Sequence, residues 1–79
     1  MNVSLMDPIK EGSAHTPSDT DRIRPTRGIY MGVEGDLRVE LLSGDVVTFG
    51  DLVGGVIHPI RATRILATGT TAASVLVLR

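Results

Sequence analysis

Between Thr26 and Arg79 the apolar runs of this chain are short, and glycine or proline cuts them every several residues. That punctuation favours strands over any other regular structure. No stretch keeps apolar residues at i, i+3 and i+4 for the roughly ten residues an amphipathic helix requires. The pattern that does recur has a period of two. In residues 36–42, Leu37, Val39 and Leu41 fall on one face and Arg38 and Glu40 on the other, the signature of a half-buried strand. Ser43-Gly44-Asp45 follows, and Gly44 can adopt the positive φ of a tight hairpin. Residues 46–49 return as its partner.

The rest of this region reads the same way. Residues 27–33 carry Ile29, Tyr30, Met31 and Val33, and Gly32 to Gly35 supply turn positions. Residues 50–55 form a loop in which Leu52 or Val53 plugs the core. Residues 56–58 are a short strand ended by Pro59. Residues 60–68 are expected to place Ile60, Ala62, Arg64 and Leu66 on one face and Arg61, Thr63, Ile65 and Ala67 on the other. After a turn at Gly69-Thr70-Thr71, residues 73–78 close the chain with Val75, Leu76, Val77 and Leu78, apolar on both faces. A strand of that kind is buried on both sides, here by its own core and by a neighbouring subunit. Parallel strands would need crossover helices for which there is no room. The expected fold is all-β: a small antiparallel β-sandwich or barrel, jelly-roll-like, spanning residues 26–79.

Residues 1–25 differ. They mix charges of both signs with Pro8, Gly12, Pro17 and Pro25, and the prolines remove backbone donors and favour extended conformations. An extended N-terminal arm is expected, in which Ala14-His15-Thr16 can pair as a short edge strand before Pro17 stops it. Thr16 to Asp21 offers the hydroxyls and carboxylates of a loop.

Size then limits self-sufficiency. A 79-residue chain buries only about 60% of the surface its unfolded form exposes. This one has a single Phe (Phe49), a single Tyr (Tyr30), no Trp and no Cys, so its core is built from Val, Leu, Ile and Ala without disulfides. Oligomerisation is the usual supplement for so small a scaffold, and a partner subunit is expected.

Charge and motifs exclude most chemistry. The net charge of -1 and pI of about 6.0 give no electrostatic footprint for nucleic acid or an acidic membrane. Two aromatic residues are too few for a base-stacking groove. No run approaches the ~18 apolar residues of a membrane helix. Residues 1–10 lack the apolar stretch of a signal peptide, so the expectation is a protein kept in the cytoplasm unless it leaves within a particle. His15 and His58 have no second ligand at metal-binding spacing. Asp19-Thr20-Asp21 begins like a calcium loop, but Arg24 and Tyr30 occupy the positions that need Gly and an acid. Gly28, Gly32 and Gly35 do not match a phosphate-cradling pattern, and no serine sits in a nucleophile elbow. No catalytic residue, metal or cofactor is expected.

What remains is interface chemistry. Seven of the eight basic residues are Arg, whose planar fork suits interfacial carboxylates. Arg22, Arg24 and Arg27 flank the junction between arm and β-domain, and Arg61 and Arg64 lie further along. They can pair with Asp19, Asp21, Asp45 or Asp51 of a neighbouring copy, or be plain surface charge worth little. Arg64 stands out because it interrupts the face expected from Ile60, Ala62 and Leu66. His58 is read as a strand-end residue at an interface or rim. With Val75 and Val77 these complete the candidate contact residues.

Thr16-Pro17-Ser18-Asp19-Thr20-Asp21 and Thr26-Arg27-Gly28-Ile29-Tyr30-Met31-Gly32 resemble segments of the spike base proteins of gene transfer agents and related tailed phages of alphaproteobacteria. So do Gly35-Asp36-Leu37, Val47-Thr48-Phe49, Pro59-Ile60-Arg61 and Arg64-Ile65-Leu66-Ala67-Thr68-Gly69-Thr70-Thr71-Ala72. The resemblance runs from about Thr16 to the end of the chain and departs at Leu52-Val53-Gly54-Gly55, where the family often has a Pro-Ala-Gly step. It implies a virion component: a cyclic homo-oligomer, pentameric at a capsid vertex, that contacts capsid protein and anchors a spike fibre which touches surface polysaccharide. Other readings of the residues are a small carbohydrate- or ligand-binding β-module, a tail or baseplate subunit, and an enzyme subunit with a site formed between chains around His15 or His58.

Overall fold

A computed structural model describes residues 8–79; the first seven residues of the expected arm lie outside the described part. The described residues form seven strands and no helix: β1 (Gly12–Ala14), β2 (Gly28–Val33), β3 (Gly35–Leu41), β4 (Val46–Leu52), β5 (Ile57–His58), β6 (Ala62–Ile65) and β7 (Ala73–Leu78). They build two sheets, one of four strands in the order β1-β7-β2-β5 and one of three in the order β4-β3-β6. Every pairing is antiparallel. The result is a small β-sandwich.

The strands alternate between a core face and an outer face, as a pleat requires. Ile29 and Met31 of β2 and Val75 and Val77 of β7 enter the core from the larger sheet. Leu37 and Val39 of β3 and Ala62 and Ile65 of β6 meet them from the smaller one, with Ala72 beside them. Ile23, Leu41, Val47, Phe49, Leu52 and Ile60 pack around this centre, half-buried. The switch between sheets falls at Glu34, which alone separates β2 from β3. Gly35 makes that corner possible: a Cβ there would stand 2.8 Å from the Ala72 amide nitrogen, closer than real side chains approach backbone. The β3–β4 hairpin turns at Gly44, whose φ is 99°.

Several boundaries differ from the sequence expectation for identifiable reasons. β4 continues through Gly50 to Leu52 because Asp51 takes a left-handed φ of 52° and its amide donates to Asp36 Oδ1 at 2.9 Å. Leu52 packs against the core while Val53 is exposed, so Leu52 is the plug. In β6 the expected alternation fails. The pairing of β3 with β6 shifts register between Glu40 and Leu41, with Arg64 opposite Glu40 but Ala62 opposite Leu41. The extra residue of this bulge lets Ala62 and Ile65, three positions apart, both point inward. Arg64 therefore stands on the outer side and interrupts no apolar core face.

The arm, where described, lies on the body. Its strand is Gly12–Ala14, two residues earlier than expected, paired with the outer edge of β7. Beyond it the His15 amide donates to Val75 O at 3.0 Å, Ser18 to Ile65 O at 2.8 Å, Ile23 to Thr63 O at 2.8 Å and Thr26 to Ala62 O at 3.1 Å. Residues 15–26 thus cross from the edge of the larger sheet to the edge of the smaller and close that side of the sandwich. The radius of gyration, 11.7 Å, is close to the roughly 11 Å of a compact chain of this length.

Thr26 anchors the crossing. It is fully buried; its hydroxyl donates to Ile60 O at 2.7 Å and accepts from the Ala62 amide at 3.0 Å. Thr26→Val keeps the shape and strands both backbone groups, which should cost about 1–3 kcal/mol. A denaturant titration with an unchanged slope and a lower midpoint would register that loss; an unchanged midpoint would refute it.

Candidate interaction surfaces

The two outer faces of the sandwich differ in chemistry. On the smaller sheet the outward positions of β3 are Asp36, Arg38 and Glu40, and Arg64 joins them from β6. Glu40, 12% exposed at its side chain, holds two arginines: its Oε1 lies 2.8 Å from Arg22 Nη1 and 3.3 Å from Arg64 Nε. The second contact is an ion pair whose angle is too poor for a hydrogen bond. Arg64 Nη1 also donates to Asp19 O at 2.9 Å. This is an ordinary solvated sheet face, tied to the arm.

The larger sheet has no charge at its outward strand positions. Opposite the core residues of β7 and β2, the outward side holds Leu76, Leu78 and Ser74 from β7, Tyr30 and two glycines from β2, Gly12 and Ala14 from β1, and Ile57 from β5. One rung crosses all four strands: Ala14 faces Leu76, Leu76 faces Tyr30, and Tyr30 faces Ile57. Leu76 is 37% exposed and Ile57 53%. Antiparallel sheets normally alternate apolar inside with polar outside. This one carries no charged residue at the outward strand positions, which makes that face the candidate interaction surface.

A second apolar feature opens on the side of the sandwich opposite the arm. Among the described residues no strand pairs with the outer edge of β4, and β5 is the edge of the other sheet. Between these edges lies a groove of about 550 Å³ walled by Leu41, Leu42, Phe49, Leu52, Pro59 and Ile60, with Ser43, His58 and Arg61 at its rim. His58 Nε2 is 2.9 Å from Val53 O, which fixes the ring.

The sequence candidates divide accordingly. His58 and Arg61 come together at the groove. Arg22, Arg24 and Arg64 are each engaged within the chain, Arg22 and Arg64 through Glu40 and Arg24 through Glu11 at 3.1 Å. Arg27 is half-buried beside the end of β7, where its amide donates to Leu78 O at 2.6 Å. Val75 and Val77 are corrected outright. They are 4% and 2% exposed within the core, because the pairing of Ile29 with Val77 turns odd-numbered β7 residues inward. The outward residues are Leu76 and Leu78. Apolarity on both faces carried no information about which residues of β7 point outward. Among the described residues no group of three or more His, Asp or Glu could hold a metal ion.

These features define a small β-sandwich with one charged and one uncharged outer face. The chain is similar to a chain in a solved structure described as the capsid of a native GTA (gene transfer agent) particle computed with C5 symmetry, with 34% sequence identity and a TM-score of 0.83 over 99% of this chain and 92% of that one. No family model matches, and no curated protein matches. The chain belongs to the family of that particle component, and is a structural protein of the gene transfer agent type.

Asp19 provides a titratable latch for the arm. Thr68 donates to it twice, from its hydroxyl to Oδ2 at 2.6 Å and from its amide to Oδ1 at 2.9 Å. These bonds, with a smaller contribution from Arg38, hold the carboxyl below its ordinary range. The folded chain therefore binds this proton less tightly than the unfolded one, so the latch contributes fully above the unfolded value of about 3.9 and is lost as pH falls through the lower folded value. The protection of the Thr68 amide, its exchange rate relative to the intrinsic rate at the same pH, should fall on acidification through that window, and Asp19→Ala should abolish that fall while lowering the protection at neutral pH. Exchange indifferent to the substitution would remove the latch from the account.

Proposed function

We propose that this protein is the spike base of a gene transfer agent or phage-like particle: a cyclic, pentameric ring of identical sandwiches at a capsid vertex, seated on capsid protein and anchoring a spike fibre. Such a subunit is made in the bacterial cytoplasm and finishes in the particle, and it performs no catalysis. The observation that carries the reading is the uncharged outer face of the larger sheet. Leu76, Tyr30 and Ile57 form a rung that a lone soluble sandwich has no use for, and a copy of the chain is an economical cover for it. A heterologous contact repeated around an axis closes into a ring. The capsid structure to which the chain is similar was computed with C5 symmetry, which accords with five copies. The charged face, knitted to the arm by Glu40, is left for solvent or for polar contacts with other particle components.

Light scattering on the purified chain should give a cyclic oligomer at micromolar concentration. Leu76→Asp places a charge in the centre of the uncharged rung and should raise the concentration needed for assembly at least about tenfold, with the β-sheet circular dichroism retained. Arg22→Ala, on the other face, should leave assembly within about threefold, since an exposed ion pair contributes under ~1 kcal/mol. A wild-type chain that remains a monomer at these concentrations would overturn the ring.

A further inference from the structure

The ring proposed above makes a demand that the uncharged outer face alone does not meet. In a cyclic ring every contact joins two different patches, because a patch that meets its own copy stops at two subunits. The rung of Leu76, Tyr30 and Ile57 therefore needs an unlike partner elsewhere on the same chain. We infer, resting on the ring reading, that this partner is the groove between β4 and β5. The rung of one copy seats in the groove of the next, against Phe49, Leu52 and Pro59.

The groove suits the rung in chemistry. It holds about 550 Å³, its walls carry no charge, and they include the chain's single Phe and the exposed Leu42. The outward strand positions around the rung are uncharged as well, so neither surface strands an ion when the two meet. Ser43, His58 and Arg61 stand at the groove's rim, the polar border that surrounds an apolar centre in protein interfaces. In the rung, Leu76 and Ile57 project on either side of Tyr30, an aromatic anchor of the kind that fills a pocket at the centre of an interface. A second cavity, of about 400 Å³, is less suited: it lies against the arm, and His15, Thr16 and Ser74 bring polar groups into its lining.

The two surfaces also stand at the angle a ring needs. Side chains of the rung project perpendicular to the larger sheet. The groove lies at the side of the sandwich, past the last strand of each sheet, and opens along the sheet plane. The directions from one copy to its two neighbours are thus close to a right angle. In a cyclic ring that angle is about 60° for three copies, about 90° for four and about 108° for five. Patches on opposite sides of the sandwich would instead build a filament. Ile57, at one end of the rung, and His58, at the rim of the groove, are consecutive in β5. That strand is the corner where the two surfaces meet, and in the ring it faces the axis.

The chain has no cysteine, so introduced thiols report contacts cleanly. Leu76→Cys and Leu42→Cys both alter exposed side chains, one in the rung and one on the groove wall. Mixed at a concentration where light scattering shows the ring, these two full-length proteins should be joined by a short bis-maleimide into mixed dimers on a denaturing gel. Each protein alone should give none. Dimers from Leu76→Cys protein alone would mean that rung meets rung, and a ring without mixed dimers would mean that another surface covers the rung. Either result overturns the inference, the second with the ring intact; a chain that stays monomeric removes ring and inference together. Independently, Leu42→Asp should raise the concentration needed for assembly at least about tenfold, with the β-sheet circular dichroism retained. Assembly by Leu42→Asp within about threefold of the unaltered chain would also overturn the seating of the rung in the groove.

Discussion

The register of β7 between its two neighbours is the constraint from which the rest of the molecule follows. β7 is held on both sides, by β1 from Leu76 to Leu78 and by β2 along its length. Its side chains alternate without a polar residue from Val75 to Leu78, so composition does not choose which face is inside. The partners choose. Ile29 and Met31 must be buried, and their pairing with Val77 and Val75 commits those two valines to the core. A slip of one residue would invert the strand, presenting Leu76 and Leu78 to the core and two valines to the outside. The same register also places Gly28 and Gly12 on either side of Leu78, which gives that side chain room to lie flat.

The arm completes the edges that this register leaves. β6 pairs with β3 on one side only, and its outer carbonyls would face water without residues 18–26. Backbone amides of Ser18, Ile23 and Thr26 take them instead, and Ile23 adds its side chain to the core. Charge then secures the crossing from outside. Glu40 draws Arg22 from the arm and Arg64 from β6 to one carboxylate, while Asp19 grips Thr68 across the start of the final turn. A pair with one partner as exposed as Arg22 is individually weak, whereas Arg64 and Glu40 are both mostly covered. Their work here is to fix where the arm runs, and the buried Thr26 supplies the tighter hold.

Much of this was legible in the residues. Leu37 and Val39 alternating with Arg38 and Glu40 gave a strand and its two faces, Gly44 gave the hairpin, and residues 73–78 gave a strand whose bounds match β7. The misses share a cause: each turned on backbone geometry that side-chain pattern does not record. The bulge opposite Glu40 and Leu41 put Ala62 and Ile65 on the same side and moved Arg64 outward, against a strict period of two. β4 ran on through Gly50 because Asp51 adopts a conformation rare for a non-glycine residue. The arm docked through main-chain bonds that any sequence without proline at Ser18 and Ile23 could make. At the interaction surface, the sequence disclosed that β7 had two apolar sides and withheld which residues belonged to each.

The division of apolar residues explains why a chain so poor in bulk still leaves some of them outside. With no Trp and one Phe, the interior closes around branched aliphatics, and each fully buried one contributes roughly 1.5–3 kcal/mol. Moving Leu76, Tyr30 or Ile57 inward is not an available remedy, since the pleat fixes them opposite the core residues of the same strands. Their stabilising value is realised only when something covers them. In the proposed ring, folding and association would draw on the same sheet, because the pairing of β7 with β2 that buries Val75 and Val77 also sets Leu76 and Tyr30 side by side on the outside. If another copy covers that rung, as proposed, stability measured on the isolated chain is a lower bound that rises with chain concentration.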